Sequence, residues 1–584
     1  MKRLTILTVL LLVISLTGCA STDNGAKSTY NEGTYTAVTP GHNGDITVEV
    51  TFDQNSITDI KVTDHKETYG IGYGVSTAPI DYLPAKIIET QSLGVDSVAS
   101  ATITSNALKR AIADCVDQAG GDSSELKNVS VANNNQNEEY TADIVVVGAG
   151  AAGLAAAVTA KEAGANVIIM EKVGIPGGST TRSGGKILAA GTEYQKELGF
   201  EDNADLMYQY LMSFDHDGLM NETLVRKFCD NSLENFNWML DRGTLIEDVE
   251  PIHSSIIPWR VHNALGGGGM TVGFGGQYIV PLNNEFESTG GKVIYNCEAK
   301  ELLTENGAVV GVKGERKDGT TVTVNAKSVI ICTGGYEHNE EMMARYAAFL
   351  PDNSASACPK TNVGDGLIMA EKVGAQIFDS EGLQVSYRDG KTGVGLFEES
   401  GLIVTDKGVR VSNEYSYKEH VATGLAEASS PYGYYIATAN DPNKTVQYAM
   451  TVDSTYKAST LDELAEITGM DAETIKATVA RYNELCNKGV DEDFGKPAEY
   501  MIPVEGDTYY AIKLEPGSCV NFGGLVINEY AEVLDTNNEV IPGLYAAGEV
   551  AFTGLFATEY PCCGMAIGSA IFYGRTAAQT ALSK

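Results

Sequence analysis

The chain is short of positive charge: across 584 residues, 41 Lys and Arg face 77 Asp and Glu, a formal net charge of −36. A body this acidic repels phosphate backbones and anionic headgroups. That argues against nucleic acid as a partner and against membrane binding through the folded surface. The ten cysteines include no C-x-x-C and no C-x-x-C-H, so neither a cysteine zinc site nor a haem attachment is encoded, and the seven His show no ligand spacing. No metal site is expected. Beyond residue 16 no apolar run is long enough to cross a bilayer, and no fixed-period repeat occurs.

What is present begins with length, enough for two to four domains with full cores. The strongest signal is an apolar run ending in glycines, Ala142-Asp143-Ile144-Val145-Val146-Val147-Gly148-Ala149-Gly150-Ala151-Ala152-Gly153. Four β-branched residues in a row read as a buried parallel strand. The Gly148-x-Gly150-x-x-Gly153 turn then opens an Ala-rich helix to about Lys161. A second strand over 166–170 ends at Glu171, 18 positions past Gly153. Strand, turn, helix, strand and acid together form a βαβ dinucleotide site. Small residues let the backbone approach a pyrophosphate, the helix N-terminus faces its charge, and the acid takes a ribose hydroxyl.

The N-terminus reads as a targeting segment: Lys2 and Arg3 precede an apolar stretch, Leu4 to Leu16, too short to span a membrane. Leu16-Thr17-Gly18-Cys19 resembles the lipobox of bacterial lipoproteins, which implies a lipid-modified Cys19 and an extracytoplasmic protein anchored to the cell membrane by lipid alone. Scattered cysteines in an exported chain point to an anaerobic setting. After a tether at 20–29, residues 30–118 read as a small domain, with strands at 33–37, 45–52 and 57–62 and helices from about Pro84 and from about Ser105 to Gln118. The polar stretch 120–139, with Asn133-Asn134-Asn135-Gln136-Asn137, reads as a linker. Residues 140–584 carry the dinucleotide fold and an insertion.

Four further segments follow the first fingerprint in order: Pro176-Gly177-Gly178-Ser179 with Ser183-Gly184-Gly185; Ile330-Ile331-Cys332-Thr333-Gly334-Gly335-Tyr336; Gly364-Asp365-Gly366 with Gly374-Ala375; and 541–550, ending Ala547-Gly548-Glu549-Val550. Together they resemble the FAD-binding domain of the fumarate reductase and succinate dehydrogenase flavoprotein superfamily. The resemblance implies FAD held by Gly148, Gly150, Gly153, Glu171, Gly177, Gly178, Ser179, Gly184, Gly185, Thr333, Gly334, Gly335, Asp365, Gly548 and Glu549. It also implies an α/β fold: a Rossmann-like FAD domain in two parts, 140–380 and 519–584, around an α+β cap at 381–518 that closes over the flavin.

The first domain resembles covalent FMN-binding domains of exported reductases and sodium-pumping quinone reductases, through Glu67-Thr68-Tyr69-Gly70-Ile71-Gly72 and 96–105, Asp96 to Ser105. That resemblance implies FMN esterified to Thr102 by a flavin transferase, although Ala99-Ser100 departs from the usual Ser/Thr-Gly pair. Without the flavin, Thr102 reads as a cap before Asn106-Ala107-Leu108.

The implied chemistry is hydride transfer from reduced FAD to an activated C=C, with FMN relaying electrons from a membrane donor, quinone-linked or flavin-based. Relatives that reduce dicarboxylates bind carboxylates with His and Arg. Here Lys418 stands where they carry an Arg, Ser386 where they carry a cap His, and Pro516-Gly517-Ser518-Cys519-Val520 where they carry Pro-Gly-x-His-His; their C-terminal Arg-x-Gly-Gly is absent. Two buried carboxylates would lack compensation, which disfavours fumarate. Instead Glu559-Tyr560-Pro561-Cys562-Cys563-Gly564 resembles the Tyr-Pro-x-x-Gly segment of ketosteroid dehydrogenases, implying that the Tyr560 hydroxyl and the Gly564 amide grip a substrate carbonyl. The bland alternative is a Tyr packed at a helix start with Pro at its first position. Lys418 is the expected proton donor, with Tyr417 or Tyr415 as substitutes; the alternative is a surface lysine in a polar run. Arg260 and His262 are further pocket candidates, and vicinal Cys562-Cys563 reads as small packing beside flavin. The readings that follow are reduction of a small-molecule enone, reduction of an unsaturated acid such as urocanate, cinnamate or fumarate, the reverse dehydrogenation, and an electron carrier without organic substrate.

Overall fold

The computed structural model describes residues 29–41, 44–66, 79–95, 97, 102–128, 137–250, 259–265, 274–346, 355–356, 358–378, 383–388, 395–396, 401–415 and 418–584. The Cys19 lipobox and Tyr417 lie outside these residues. The chain divides into two compact units, one taking 1–67, 83–95 and 106–131, the other the remainder. No helix among the described residues is long and apolar enough to cross a membrane.

The smaller unit is an antiparallel sheet of Gly33–Pro40, Asp45–Phe52 and Ile57–Asp64, in that order. Ile46, Val48, Val50 and Phe52 recur at the strand period and are all buried. They meet Leu83 and Ile87 of the helix Pro79–Thr90 and Leu108, Ile112 and Val116 of the helix Thr102–Gln118. One expectation is corrected here. Residues 123–128 form a helix, Ser123–Asn128, and not linker. Leu126 is buried, and its carbonyl accepts the Leu93 N–H at 3.0 Å and the Ser92 hydroxyl at 3.2 Å. A single apolar residue in a polar run was enough to dock the turn, and composition averaged over twenty positions hid it. The far end of that stretch, Glu138 and Glu139, already belongs to the first strand of the larger unit.

The larger unit is built on a sheet ordered Cys297–Glu305, Ala308–Arg316, Thr321–Ile331, Glu138–Val147, Val167–Met170 and Lys292–Ile294, with Val540–Ala546 also pairing Thr321–Ile331. The strands Glu138–Val147, Val167–Met170, Lys292–Ile294 and Val540–Ala546 run parallel to their neighbours in the Thr321–Ile331 half. Sequentially distant glycine turns therefore meet at one sheet edge, the C-terminal ends of these strands. The fingerprint helix Ala151–Glu162 has its first ten residues buried because the C-terminal helix Met565–Ser583 lies across it. The contact is backbone-close: a Cβ on Gly574 would run into the Ala152 carbonyl. Gly574→Ala should force the helices apart at a cost of about 1–3 kcal/mol. The expected readout is a lower melting temperature together with a lower flavin content per chain; an unchanged flavin content would refute the coupling of this contact to the cofactor turn.

The inserted region has its own sheet, with Leu383–Arg388, Tyr509–Asn521, Gly433–Thr438 and Leu402–Thr405 in that order. One face packs Val421, Ala422 and Leu425 of the helix Lys418–Glu427; the other packs Leu464 and Ala465 of Leu461–Thr468 and Ile475, Val479 and Tyr482 of Ala472–Lys488. The long strand Tyr509–Asn521 runs past position 518 and delivers Asn521 and Phe522 directly beside the FAD-domain turns.

Candidate active site

The dinucleotide turn is dictated by sterics. Gly148 sits at φ 105°, where a side chain is strained, and a Cβ there would strike the Cys332 carbonyl; a Cβ on Gly153 would strike the Gly148 carbonyl. Gly150 precedes the helix with no side-chain cap, so the first N–H groups of Ala151–Glu162 are left for a ligand. Glu171 accepts the Ala149 N–H at 2.7 Å and the Val173 N–H at 2.9 Å, which fixes the acid across the turn. The Gly177 N–H donates to the Ala149 carbonyl at 2.8 Å, bringing the Gly177-Gly178-Ser179 turn alongside. Gly184 and Gly185 join the short helix Gly178–Arg182 to the strand Lys186–Leu188.

Thr333, Gly334 and Gly335 leave the sheet next to these turns. The Thr333 hydroxyl is buried without a partner, and Gly366 leaves the space beside it where a Cβ would collide. An orphaned hydroxyl in a groove lined by backbone fits a polar cofactor. FAD would be held here by the Gly148–Gly153 turn, Glu171, Gly177–Ser179 and Thr333–Gly335.

The Asp365 carboxylate is paired with Lys172 at 2.7 Å, which ties the helix Asp365–Glu371 to the segment after Glu171. Glu549 and Gly548 close the groove from the C-terminal side. Glu549 accepts the Asn521 N–H at 3.0 Å and belongs to a buried cluster with Glu337, Cys358 and Asn362. Asn362 donates to Glu337 at 3.0 Å and to the Ser179 hydroxyl at 3.0 Å. Burial, reinforced by the Glu337 carboxylate, pushes Glu549 well above the usual carboxylate range. Glu337, Cys358, Asn362 and Asn521 carry no local sequence signal; only the meeting of four separate loops makes them a cluster.

The segment 559–564 lies at the N-terminus of Met565–Ser583. Gly564 is that helix's N-cap at φ 88°, against Ile187, and its carbonyl accepts the Leu188 N–H at 3.2 Å. Tyr560 stacks nearly parallel on Phe522 and Phe556, with interplanar angles of 12° and 9°. The Ala566 N–H donates to its hydroxyl at 3.3 Å, so Tyr560, and not Pro561, caps the helix start. Burial, with Cys563 and Cys562 nearby, pushes the Tyr560 phenol well above its usual range; it stays protonated and is a donor. Among the described residues the Gly564 N–H has no acceptor. The Tyr210 hydroxyl donates to the Pro561 carbonyl at 2.7 Å, a support that sequence did not signal. Lys418 is the first residue of the helix Lys418–Glu427; its side chain, like that of Thr102 at the start of Thr102–Gln118, lies outside the described residues. Ser386 pairs with Gly517 across the cap sheet, so two of the positions where dicarboxylate reductases carry His fall on neighbouring strands.

Arg260 and His262 are both fully buried, and the Arg260 Nη1 has no hydrogen-bond partner among the described residues. Arg260 is fully buried and bound to Asp202 through two contacts of 2.6 Å. His262 is fully buried and held between the Thr192 hydroxyl at 2.8 Å and the Arg260 carbonyl at 2.9 Å. Burial pushes its pKa down to about 4, hydrogen bonds to the Arg260 and Ile187 backbones opposing. Unfolded His binds its proton near pH 6.5, so between pH 6.5 and 4 the unfolded state holds more protons and stability falls with falling pH, by roughly 3 kcal/mol at most. His262→Gln should flatten the loss of melting temperature in that window; an unchanged slope would refute the assignment.

Residues 143–567 match the FAD binding domain family and residues 41–117 the FMN-binding domain family. The chain is 32% identical over 603 residues to the urocanate reductase of Eggerthella lenta, covering 97% of this chain and 96% of that protein. It is similar to the open conformation of a flavocytochrome c3 fumarate reductase, with a TM-score of 0.64, 29% identity, and coverage of 76% of this chain and 78% of that one. It is also similar to a 3-ketosteroid-Δ4-(5α)-dehydrogenase from Rhodococcus jostii RHA1 in complex with 4-androstene-3,17-dione, with a TM-score of 0.63, 26% identity, and coverage of 78% and 99%.

Proposed function

The chain belongs to the FAD binding domain family, whose members similar to it are flavin oxidoreductases acting on C=C bonds, and from that premise we propose that it reduces a C=C conjugated to a carbonyl, an enone-type substrate. The observation that carries this reading is the pair of donors at one helix N-terminus: a protonated Tyr560 hydroxyl and the Gly564 N–H, which lacks an acceptor among the described residues. Bound FAD, once reduced, supplies the hydride. Tyr560 and Gly564 hydrogen-bond the carbonyl oxygen and stabilise the negative charge that develops there as the β-carbon is reduced, helped by the positive end of Met565–Ser583. Lys418, or Tyr417, gives the α-carbon its proton, and the cap excludes water.

The FMN-binding domain favours electron input, hence reduction over dehydrogenation. In this reading FMN is esterified to Thr102 by a flavin transferase, a membrane donor feeds it, and Cys19 anchors the protein by lipid outside the cytoplasm. A second reading, reduction of an unsaturated acid such as urocanate, is favoured by the relationship to urocanate reductase along the whole chain. Against it stand Ser386 and the Ser518-Cys519-Val520 segment where relatives carry the His that hold carboxylates, and the absence of their C-terminal Arg-x-Gly-Gly.

The test is anaerobic reoxidation of the reduced, flavin-loaded protein by fumarate, urocanate, cinnamates and enone steroids. Rapid oxidation by an enone and slow oxidation by the acids is the expected result. Oxidation by an acid alone would overturn the carbonyl site, and oxidation by a redox protein alone would make the chain an electron carrier.

A further inference from the structure

Glu559 is an unusual residue to find where it is. Its carboxylate is only 10% exposed, immediately before Tyr560, yet it belongs to neither the FAD groove nor the carbonyl-binding pair. A carboxylate so far out of water needs a partner. It has two imidazoles: His420 Nε2 lies 2.6 Å from Oε1, and His216 Nε2 lies 4.0 Å from Oε2. His216 belongs to the FAD-domain segment between Ala204–Met212 and Glu222–Asp230, and His420 to the first turn of the cap helix Lys418–Glu427. The contact thus joins the residue before the candidate carbonyl-binding Tyr560 to the residue two after the candidate proton donor Lys418.

The surroundings make this contact a bridge. On the FAD-domain side the 559–564 segment is already fixed: Phe522 and Phe556 stack on Tyr560, the Ala566 N–H meets its hydroxyl, and Tyr210 holds the Pro561 carbonyl. On the cap side the helix Lys418–Glu427 is fixed to its own sheet through Val421, Ala422 and Leu425. Each rigid body carries half of the machinery, and the carbonyl oxygen and the α-carbon of one substrate must be served by both.

We propose that His420 and Glu559 are a latch across the cap and the FAD domain, positioning residues that set Lys418 against Tyr560 when the cap is closed. The proposal deepens the carbonyl-reductase reading and rests on it for the roles of Lys418 and Tyr560; the latch itself does not depend on which substrate is used. When the cap is open, Glu559 exchanges His420 for water; when it is closed, the pair is made, so the contact favours the closed state by its difference between the two.

The test uses the full flavin-loaded chain with His420→Gln, Glu559→Gln, the double substitution, and the swapped pair His420→Glu with Glu559→His. Without substrate, amide hydrogen exchange is followed in peptides covering 418–427 and 555–566. Either single change should speed exchange in both segments together, the double change should be no worse than the worse single one, and the swap should restore protection. With the best acceptor, kcat should fall about tenfold in the singles, as expected for a misplaced donor, while flavin content and reduction by dithionite stay unchanged. Exchange that rises in one segment only, additive effects in the double variant, or a swap that restores nothing would overturn the latch. If no C=C acceptor oxidises even the parent protein, the proposed function falls, and the exchange data still decide the latch.

Discussion

Tyr560→Phe is expected to slow reoxidation of the reduced enzyme by a conjugated carbonyl compound by about 10²–10³-fold, the loss seen when one donor is removed from an oxyanion site. The ring remains, so the stack on Phe522 and Phe556 is kept. What is lost is one hydroxyl. The Ala566 N–H then lacks its acceptor, which should destabilise the protein by only about 0.5–1.5 kcal/mol, as the 3.3 Å contact is one ordinary hydrogen bond. The two consequences separate cleanly: a small drop in melting temperature, and a large drop in rate in anaerobic stopped-flow absorbance of the flavin. If Tyr560 serves only the helix, the melting temperature falls and the rate does not. An unsaturated acid used as acceptor provides the contrast, because its carboxylate does not require this pair; equal losses with enone and acid would argue that Tyr560 shapes the site and does not bind the carbonyl.

The largest effect on stability is expected in the cap, at four charges taken out of water. Arg410 donates to Glu414 at 2.9 Å from both Nε and Nη2, and to Asp491 at 3.0 and 2.8 Å. Lys496, fully buried, donates to Glu414 at 3.3 Å and to the Tyr482 hydroxyl at 3.3 Å. Two cations and two carboxylates balance. Lys496→Met leaves the remaining three groups with an unpaired negative charge and should destabilise the cap by about 3–5 kcal/mol, whereas Lys496→Met combined with Glu414→Gln should recover much of the loss. Urea unfolding of the two variants decides this, and a single variant as stable as the parent would refute the role given to the cluster. Burial pushes the Asp491 carboxyl up, but the Arg410 hydrogen bonds outweigh it and hold the pKa at about 2. The unfolded value is near 3.9, so this contribution is complete above pH 4 and is lost as the pH falls from 4 towards 2. The cluster also fixes the 410–415 segment that leads into Lys418, so the double variant is the one in which to ask whether activity survives when the charges do not.

Much of the cofactor half was legible in the sequence because its signals are local. Gly148 and Gly153 are required by close backbone approach, to the Cys332 and Gly148 carbonyls, Gly150 stands directly before the helix, and the second strand and Glu171 follow at the expected spacing. The strands of the small unit were legible for the same reason, since Ile46, Val48, Val50 and Phe52 alternate along eight residues. The linker reading failed at Leu126, where one buried side chain in a polar stretch outweighs the composition around it. A charged or titratable residue before a glycine run looks the same in sequence whatever it meets, and only the structure shows that Arg260 is bound to the buried Asp202.

The sequence by itself determined the class of machinery: a dinucleotide turn, a second flavin-binding module, an inserted cap, and a Tyr-Pro-x-x-Gly segment where dicarboxylate reductases keep arginine. The dinucleotide turn follows from spacing within a short stretch, where backbone geometry is set by neighbours a few residues away; the second flavin module, the cap and the Tyr-Pro-x-x-Gly segment follow from resemblance to known families. Only the tertiary structure decided that the Tyr560 hydroxyl meets the Ala566 N–H, that Asp365 pairs with Lys172, that Glu337 and Glu549 share one buried cluster, and that His420 meets Glu559. The last three join residues between 139 and 212 positions apart, and a side chain's partner at such a remove is fixed by the packing of the parallel sheet and the cap, not by anything its own segment encodes.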